Sequence, residues 1–310
     1  MSLDTIDLSA PDPVHVDEMC RTLGFLRIAH HGVPDALLAR ARQQAHAFFD
    51  LPLTTRMTVA KPSPGYPYGY GSLEAETLNA SIGGAAPPDV KETFNVGPVD
   101  PPPRPLDEMT DPNERDVYAP NRWPDALPTL QPVLEDLYRT MGELAARLMR
   151  VFALALELPD QHFDRFVDAH GSALRLACYP ALDQPVGDRR FRAGAHTDYG
   201  TLTILDLDEQ PGLEVQSADG AWVAVEHEPG TLLVNLGDLM ARWTNDRWRS
   251  TMHRVVVPPI PAPRRLTMPF FHNANWDARI ECIVRDGEPP RYPPTTAGRY
   301  LMDKFRSTVT

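Results

Sequence analysis

The segment Ala195-His196-Thr197-Asp198-Tyr199-Gly200 carries two metal-binding side chains one residue apart. In an extended strand, residues i and i+2 project to the same face, so His196 and Asp198 would aim at one point while Thr197 turns away. A third donor, His253, heads the run His253-Arg254-Val255-Val256-Val257 and is expected on a facing strand of a closed β structure. Two imidazoles and one carboxylate occupy one face of an octahedron and leave positions open for a chelating co-substrate and dioxygen, the habit of non-heme iron centres. A zinc hydrolase can use the same donors, and a His-x-Asp pair is also a common packing solution. Further along, Arg265-Leu266-Thr267 puts a guanidinium and a hydroxyl on one strand face, a receptor suited to a carboxylate. A dicarboxylate fits both features, with one end on Arg265 and Thr267 and its 2-oxo acid end on the metal. A surface ion pair is the plainer reading of Arg265.

These residues need a rigid frame, and the apolar patterning supplies one. Beyond Ser172 the chain reads as short strands broken by turn residues: 173–179, 202–207, 213–216, 222–225, 231–236, 253–257, 265–271 and 279–283. That many short strands imply a sandwich or barrel and argue against a parallel sheet alternating with helices. Upstream, a helical stripe of Leu130, Val133, Leu134, Leu137, Met141, Leu144, Leu148, Phe152 and Leu156 predicts a long scaffold helix within 127–158. A helix over 35–50 follows Pro34, a helix-opening signal, and another is expected over 296–305. Gly24 ends an earlier helical pattern and precedes the apolar strand Phe25-Leu26-Arg27-Ile28. Between Pro62 and Pro105 the pattern dissolves into Pro, Gly and Tyr and reads as loop.

Composition narrows the function classes. The 310 residues hold 30 Lys+Arg against 42 Asp+Glu, a formal net charge of −12, which argues against nucleic acid and anionic membranes as partners. Three cysteines, Cys20, Cys178 and Cys282, show no spacing of a disulfide framework or zinc ribbon and fit a reducing cytoplasm. No apolar run approaches a membrane span, and Met1 to Ala10 lacks the basic residues of a signal peptide. The 33 prolines, about twice the usual share, announce many turns.

The order His196-Thr-Asp198, His253-Arg-Val, then Arg265-Leu-Thr267-Met-Pro-Phe-Phe271 resembles the Fe(II)/2-oxoglutarate oxygenase superfamily, in its isopenicillin N synthase-like branch. Supporting blocks are Gly24-Phe25-Leu26, His31-Gly32-Val33-Pro34, Lys91-Glu92-Thr93-Phe94-Asn95-Val96-Gly97, Pro211-Gly212-Leu213-Glu214-Val215 and Val234-Asn235-Leu236-Gly237-Asp238, and the likeness covers nearly the whole chain. It implies a mainly β fold with flanking helices, a double-stranded β-helix (jelly-roll) core beside a long scaffold helix. It further implies an N-terminal helical and loop region over 1–120 packed on scaffold helices and catalytic core over 121–310, as one integrated unit. His196, Asp198 and His253 would be iron ligands, Arg265 and Thr267 would hold the distal carboxylate of 2-oxoglutarate, and Tyr179 would line that pocket. Many members have Ser at the position of Thr267, which keeps the hydroxyl, and plant members often have Asn at the position of Ala177.

The implied activity is oxidation of a small molecule, by hydroxylation, desaturation, cyclisation or epoxidation, plausible in secondary metabolism. Fe(II), 2-oxoglutarate and O2 would be consumed or held, with release of succinate and CO2. Two alternatives stay open: an oxidase of the same fold that uses O2 without 2-oxoglutarate, and a catalytically silent ligand-binding member. Substrate contacts are expected from Tyr68, Tyr70, Phe94, Asn95, Phe271 and Asn273, each of which is equally suited to ordinary packing. The basic run Arg189-Arg190-Phe191-Arg192 reads as a solvated loop beside the metal strand, with attraction of an anionic substrate as the alternative. A cytoplasmic monomer or weak homo-oligomer, with a small-molecule substrate and neither nucleic acid nor membrane, is the expectation.

Overall fold

The computed structural model describes residues 3–63, 65–73, 75, 88–184, 191–285 and 287–308. The chain opens with β1 (Thr5–Asp7), α1 (Pro13–Thr22), β2 (Phe25–Ala29), α2 (Asp35–Asp50) and α3 (Leu53–Met57). β3 (Gly69–Gly71) and β4 (Glu92–Val96) lead through α4 (Pro112–Val117) to α5 (Leu130–Ala155) and α6 (Asp164–Val167). Then follow β5 (Ala173–Tyr179), β6 (Ala193–His196), β7 (Leu202–Asp206), β8 (Leu213–Gln216), β9 (Trp222–Ala224) and β10 (Leu232–Leu236). After α7 (Asp238–Trp243) come β11 (His253–Val255), β12 (Arg265–His272), the pair β13 (Arg279–Ile280) and β14 (Thr295–Thr296), and α8 (Ala297–Thr308).

Local chemistry explains the boundaries. Asp12 caps α1 by accepting from the Val14 amide, and Pro13 occupies the first turn, where a missing N–H costs nothing. α2 runs over the span predicted from Pro34 onward. α5 starts a few residues after the expected point, because the approach past Pro124 and Pro128 is taken up by turns, closed by Leu127 N–H to Pro124 O and Leu130 N–H to Leu127 O, while Pro132 is tolerated in its first turn. Its buried stripe, from Leu130 through Leu137, Met141 and Leu148 to Phe152, packs against α1, α2 and β12. Phe152 meets Trp248 edge-on at 5.3 Å. Among the described residues, no helix is long and apolar enough to cross a membrane.

Two sheets form the jelly roll. The larger has the order β1-β2-β10-β7-β12-β5-β4-β3, and the smaller β6-β11-β8-β9. On β5, Leu174, Leu176 and Cys178 join the large core with α5, so Arg175, Ala177 and Tyr179 face the opposite way, into the barrel. The expected loop over 62–105 is corrected here: it contributes β3 and β4, which pair with each other and, through β4, with β5. Strands of three and five residues inside a stretch rich in Gly and Pro leave little local signature, and the edge of β5 creates them.

Beneath the large sheet, the rings of His170 and His272 lie 5.2 Å apart. Burial holds both below the ordinary histidine range, and the neighbouring His170 further disfavours protonation of His272. The unfolded chain binds these protons below about pH 6.5 and the folded chain does not, so stability falls as pH drops through that value. Urea titrations should show stability falling as pH drops from 6.5 to 5, by no more than about 1.4 kcal/mol per pH unit for each histidine. A flat profile over that window would contradict the neutral pair.

Candidate active site

β11 lies antiparallel to β6 with His253 directly opposite His196, so the two donors come from adjacent, hydrogen-bonded strands of the smaller sheet and not from facing ones. Their ring centroids are 4.3 Å apart. The Nδ1 of His196 lies 2.7 Å from the Gly194 carbonyl and that of His253 3.1 Å from the Thr251 carbonyl. A carbonyl only accepts, so each ring carries its proton on Nδ1 and turns a bare Nε2 lone pair inward. Burial and the neighbouring His253 push His196 down to about 3, which keeps it neutral and ready to ligate.

Asp198 departs from the expected strand geometry. β6 ends at His196, and Asp198 sits in the loop beyond it. What fixes that loop is the start of α7: the amides of Gly237 and Asp238 donate to the carbonyls of Thr201 (3.0 Å) and Asp198 (2.7 Å), and that of Leu239 to Tyr199 and Gly200 (3.2 Å each). The carboxylate is held as firmly. Its Oδ2 accepts from Thr203 Oγ1 at 2.6 Å and Asn235 Nδ2 at 2.7 Å, leaving Oδ1 3.9 Å from His196 Nε2 and 3.8 Å from His253 Nε2. Burial works to raise this carboxyl, but the two imidazoles and two hydrogen bonds hold it below its ordinary value. Among the described residues, this is the only group of three or more such side chains that fits one metal ion, all ligand atoms lying within 4.8 Å of one another.

Gly237 is the tight point of this support. A Cβ there would meet the Gly200 carbonyl oxygen at 2.2 Å, backbone against backbone. Gly237→Ala should therefore shift the Asp198 loop, costing about 1–3 kcal/mol of stability and roughly tenfold or more in Fe(II) affinity, read by thermal melts and metal titration. Unchanged metal affinity would uncouple α7 from the site. Gly24, with φ +66° and a virtual Cβ 2.0 Å from the Arg249 carbonyl oxygen, similarly admits no side chain and sets Phe25 edge-on to His253 at 5.5 Å.

The residues expected to hold a carboxylate lie on the larger sheet. Arg265 pairs with Tyr179 across β12 and β5, and Thr267 with Ala177 two residues along, so all four side chains share the barrel's inner face. The Arg265 guanidinium is 1% exposed, stands 5.2 Å over the Tyr179 ring and donates from Nε to Gln210 O at 3.1 Å. Its Nη1 is buried and has no partner among the described residues. A buried charged donor left orphaned is the mark of a site that takes an anion, and a carboxylate satisfies it.

The remaining candidates divide by strand face. Asn95 pairs with Arg175, and Phe271 with Ala173, on the inner face. Arg175 Nε donates to Asn95 Oδ1 at 2.8 Å, and its guanidinium stands 5.6 Å over the Phe271 ring. Tyr70 and Phe94 are corrected: they face the outer core, where Tyr70 donates to Glu92 at 2.8 Å and Phe94 packs on Phe48 at 4.5 Å. Tyr68 is buried with its hydroxyl donating to Val117 O, away from the metal donors. Asn273 braces the metal loop, donating to Gly171 O at 3.0 Å, and its Oδ1 would lie 2.5 Å from a Cβ at Gly200. Of the basic run, Arg189 and Arg190 lie outside the described residues, whereas Arg192 is fully buried and not solvated. The sequence reading also missed Asn235, Thr203 and Arg175. The available signal was a polar residue inside each otherwise apolar strand.

Known proteins resemble the chain along most of its length. Residues 3–126 match the family described as non-haem dioxygenase in morphine synthesis N-terminal, and residues 170–274 match the 2OG-Fe(II) oxygenase superfamily. The chain is 34% identical over 301 residues to the 2-oxoglutarate-Fe(II) type oxidoreductase hxnY of Emericella nidulans, covering 94% of this chain and 83% of that protein. It is likewise 34% identical over 301 residues to validamycin A dioxygenase of Streptomyces hygroscopicus subsp. limoneus, covering 95% and 80%. The crystal structure of a full-length Neurospora crassa protein in complex with alpha-KG shares the fold at a TM-score of 0.86 and 28% identity, covering 99% of this chain and 96% of that one. With relatives of this identity matched along most of their length, and with the donor set in place, the chain belongs to the 2OG-Fe(II) oxygenase superfamily and is an Fe(II)- and 2-oxoglutarate-dependent dioxygenase.

Proposed function

We propose that His196, Asp198 and His253 are the iron ligands of this enzyme, that Arg265, Thr267 and Tyr179 bind 2-oxoglutarate, and that Arg175, Asn95 and Phe271 receive a small substrate carrying a carboxylate or carbonyl acceptor. The observation that carries the reading is the convergence of Asp198 Oδ1 with two bare Nε2 atoms on the same barrel interior as the orphaned Arg265 Nη1. When bound, iron and 2-oxoglutarate supply O2-dependent oxidation of a substrate C–H bond, coupled to decarboxylation to succinate and CO2.

The chain's own residues supply the positioning. Asn235 and Thr203 fix which oxygen of Asp198 faces the metal, and the Gly194 and Thr251 carbonyls fix the imidazole tautomers. Arg175 and Phe271 offer a substrate a charged fork beside an aromatic face. The buried walls of β5, β10 and β12 exclude water from the same space.

The test is succinate release from the Fe(II)-loaded enzyme, screened against small carboxylic acids and carbonyl-bearing ring compounds. A substrate from this class should stimulate release, and Arg175→Met should raise its KM about a hundredfold while leaving 2-oxoglutarate binding intact. Stimulation only by compounds lacking any acceptor would refute the assignment of Arg175. A place in secondary metabolism rests on the same screen.

A further inference from the structure

Arg192 is the least expected charge in the molecule. It lies just before β6, is 0% exposed, and reaches across the barrel end where β5 and β12 pair. Its Nη2 donates to the carbonyls of Pro180 (3.1 Å), next to Tyr179, and Pro263 (2.6 Å), two residues before Arg265. Its Nε and Nη1 are buried and have no partner among the described residues, as with Nη1 of Arg265. Both guanidiniums lie against one ring, Arg192 at 6.0 Å and Arg265 at 5.2 Å from the centroid of Tyr179. Burying two like charges together with three orphaned donors is costly unless an anion completes the set.

One anion is already present. Asp208 acts electrostatically on both arginines, but its oxygens are taken by the amides of Gln210 (2.8 Å) and Leu266 (2.7 Å). Among the described residues, two guanidiniums against one carboxylate leave the pocket one positive charge in surplus. Without Arg192, Asp208 would cancel Arg265, and an incoming carboxylate would meet a neutral pocket with a carboxylate already beside it.

We infer that Arg192 is a positioning residue for the co-substrate, its buried charge offsetting Asp208 so that the Arg265 pocket accepts the distal carboxylate of 2-oxoglutarate. The inference rests on the assignment of Arg265 to that carboxylate. Arg192 acts as a charge and donor at the back of the pocket, while its Nη2 clasps the two strand ends.

The experiment is anaerobic calorimetric titration of the Fe(II)-loaded protein with 2-oxoglutarate and with 2-oxopentanoate, which keeps the 2-oxo acid end and lacks the distal carboxylate. Arg192→Gln should weaken 2-oxoglutarate about tenfold to a hundredfold and 2-oxopentanoate by no more than about twofold, and Arg192→Lys should restore most of the difference. Asp208→Asn should widen the preference for 2-oxoglutarate, and it provides the test if Arg192→Gln does not fold. If Arg192→Gln melts earlier but keeps the wild-type ratio of the two affinities, or if Asp208→Asn leaves that ratio unchanged, the inference is overturned and Arg192 is a strand clasp alone. If the wild-type protein itself fails to distinguish the two acids, the assignment of Arg265 falls, a result separable from the first.

Discussion

Asp198→Ala abolishes Fe(II) binding at micromolar metal and lowers 2-oxoglutarate turnover by at least about a thousandfold, the expected result for the only anionic donor of the three. Its removal leaves two neutral imidazoles, whose combined attraction for a hard divalent ion is weak. It also strands Thr203 Oγ1 and Asn235 Nδ2, which both donate to Asp198 Oδ2. Metal content after dialysis and a calorimetric Fe(II) titration would read the loss, with circular dichroism checking that β6 and β11 still pair. Asn235→Ala removes one of the two bonds that fix the carboxylate and should cost about tenfold to a hundredfold in metal affinity without eliminating it. If Asp198→Ala keeps wild-type iron affinity, the triad is wrong.

Arg265→Leu separates the co-substrate from the metal. The guanidinium belongs to the larger sheet and the proposed iron donors to the smaller sheet and the loop following β6, so the substitution should leave Fe(II) affinity within about twofold. Binding of 2-oxoglutarate should weaken by about a hundredfold or more, because a buried carboxylate loses its charged partner. Anaerobic addition of 2-oxoglutarate to the iron-loaded protein, followed by the weak visible absorption of a 2-oxo acid on Fe(II), gives the affinity directly. Stability should not fall with it. Burial already holds Arg265 below the ordinary arginine range, and exchanging a buried, partly orphaned charge for an apolar side chain is often neutral or stabilising. Equal losses of iron and 2-oxoglutarate would contradict the assigned role.

The pattern legible in the sequence was local. The stripe along α5, the bounds of α2, the alternation that puts Arg265 and Thr267 on one face, and the order of the three metal donors all follow from periods of 3.6 and 2 that a single segment carries. Cross-strand pairing was not legible. β3 and β4 exist because β5 offers an edge, and their register decides that Asn95 faces Arg175 while Tyr70 and Phe94 face the core. A shift of one residue would exchange those faces, and nothing within Lys91 to Gly97 records which register wins.

The chain alone therefore determined the types and order of the proposed donors and the shared strand face of Arg265 and Thr267. Only the tertiary structure decided how Asp198 is aimed and where Arg192 lies. Asp198 sits past the end of β6 and is held by α7 amides, Thr203 and Asn235, groups that reach it only once the barrel closes. Arg192 stands in a run that reads as solvated, yet the carbonyls of Pro180 and Pro263 and the face of Tyr179 enclose it. Burial of a charge depends on which distant groups arrive to pair with it, and that is a property of the closed fold rather than of any local sequence.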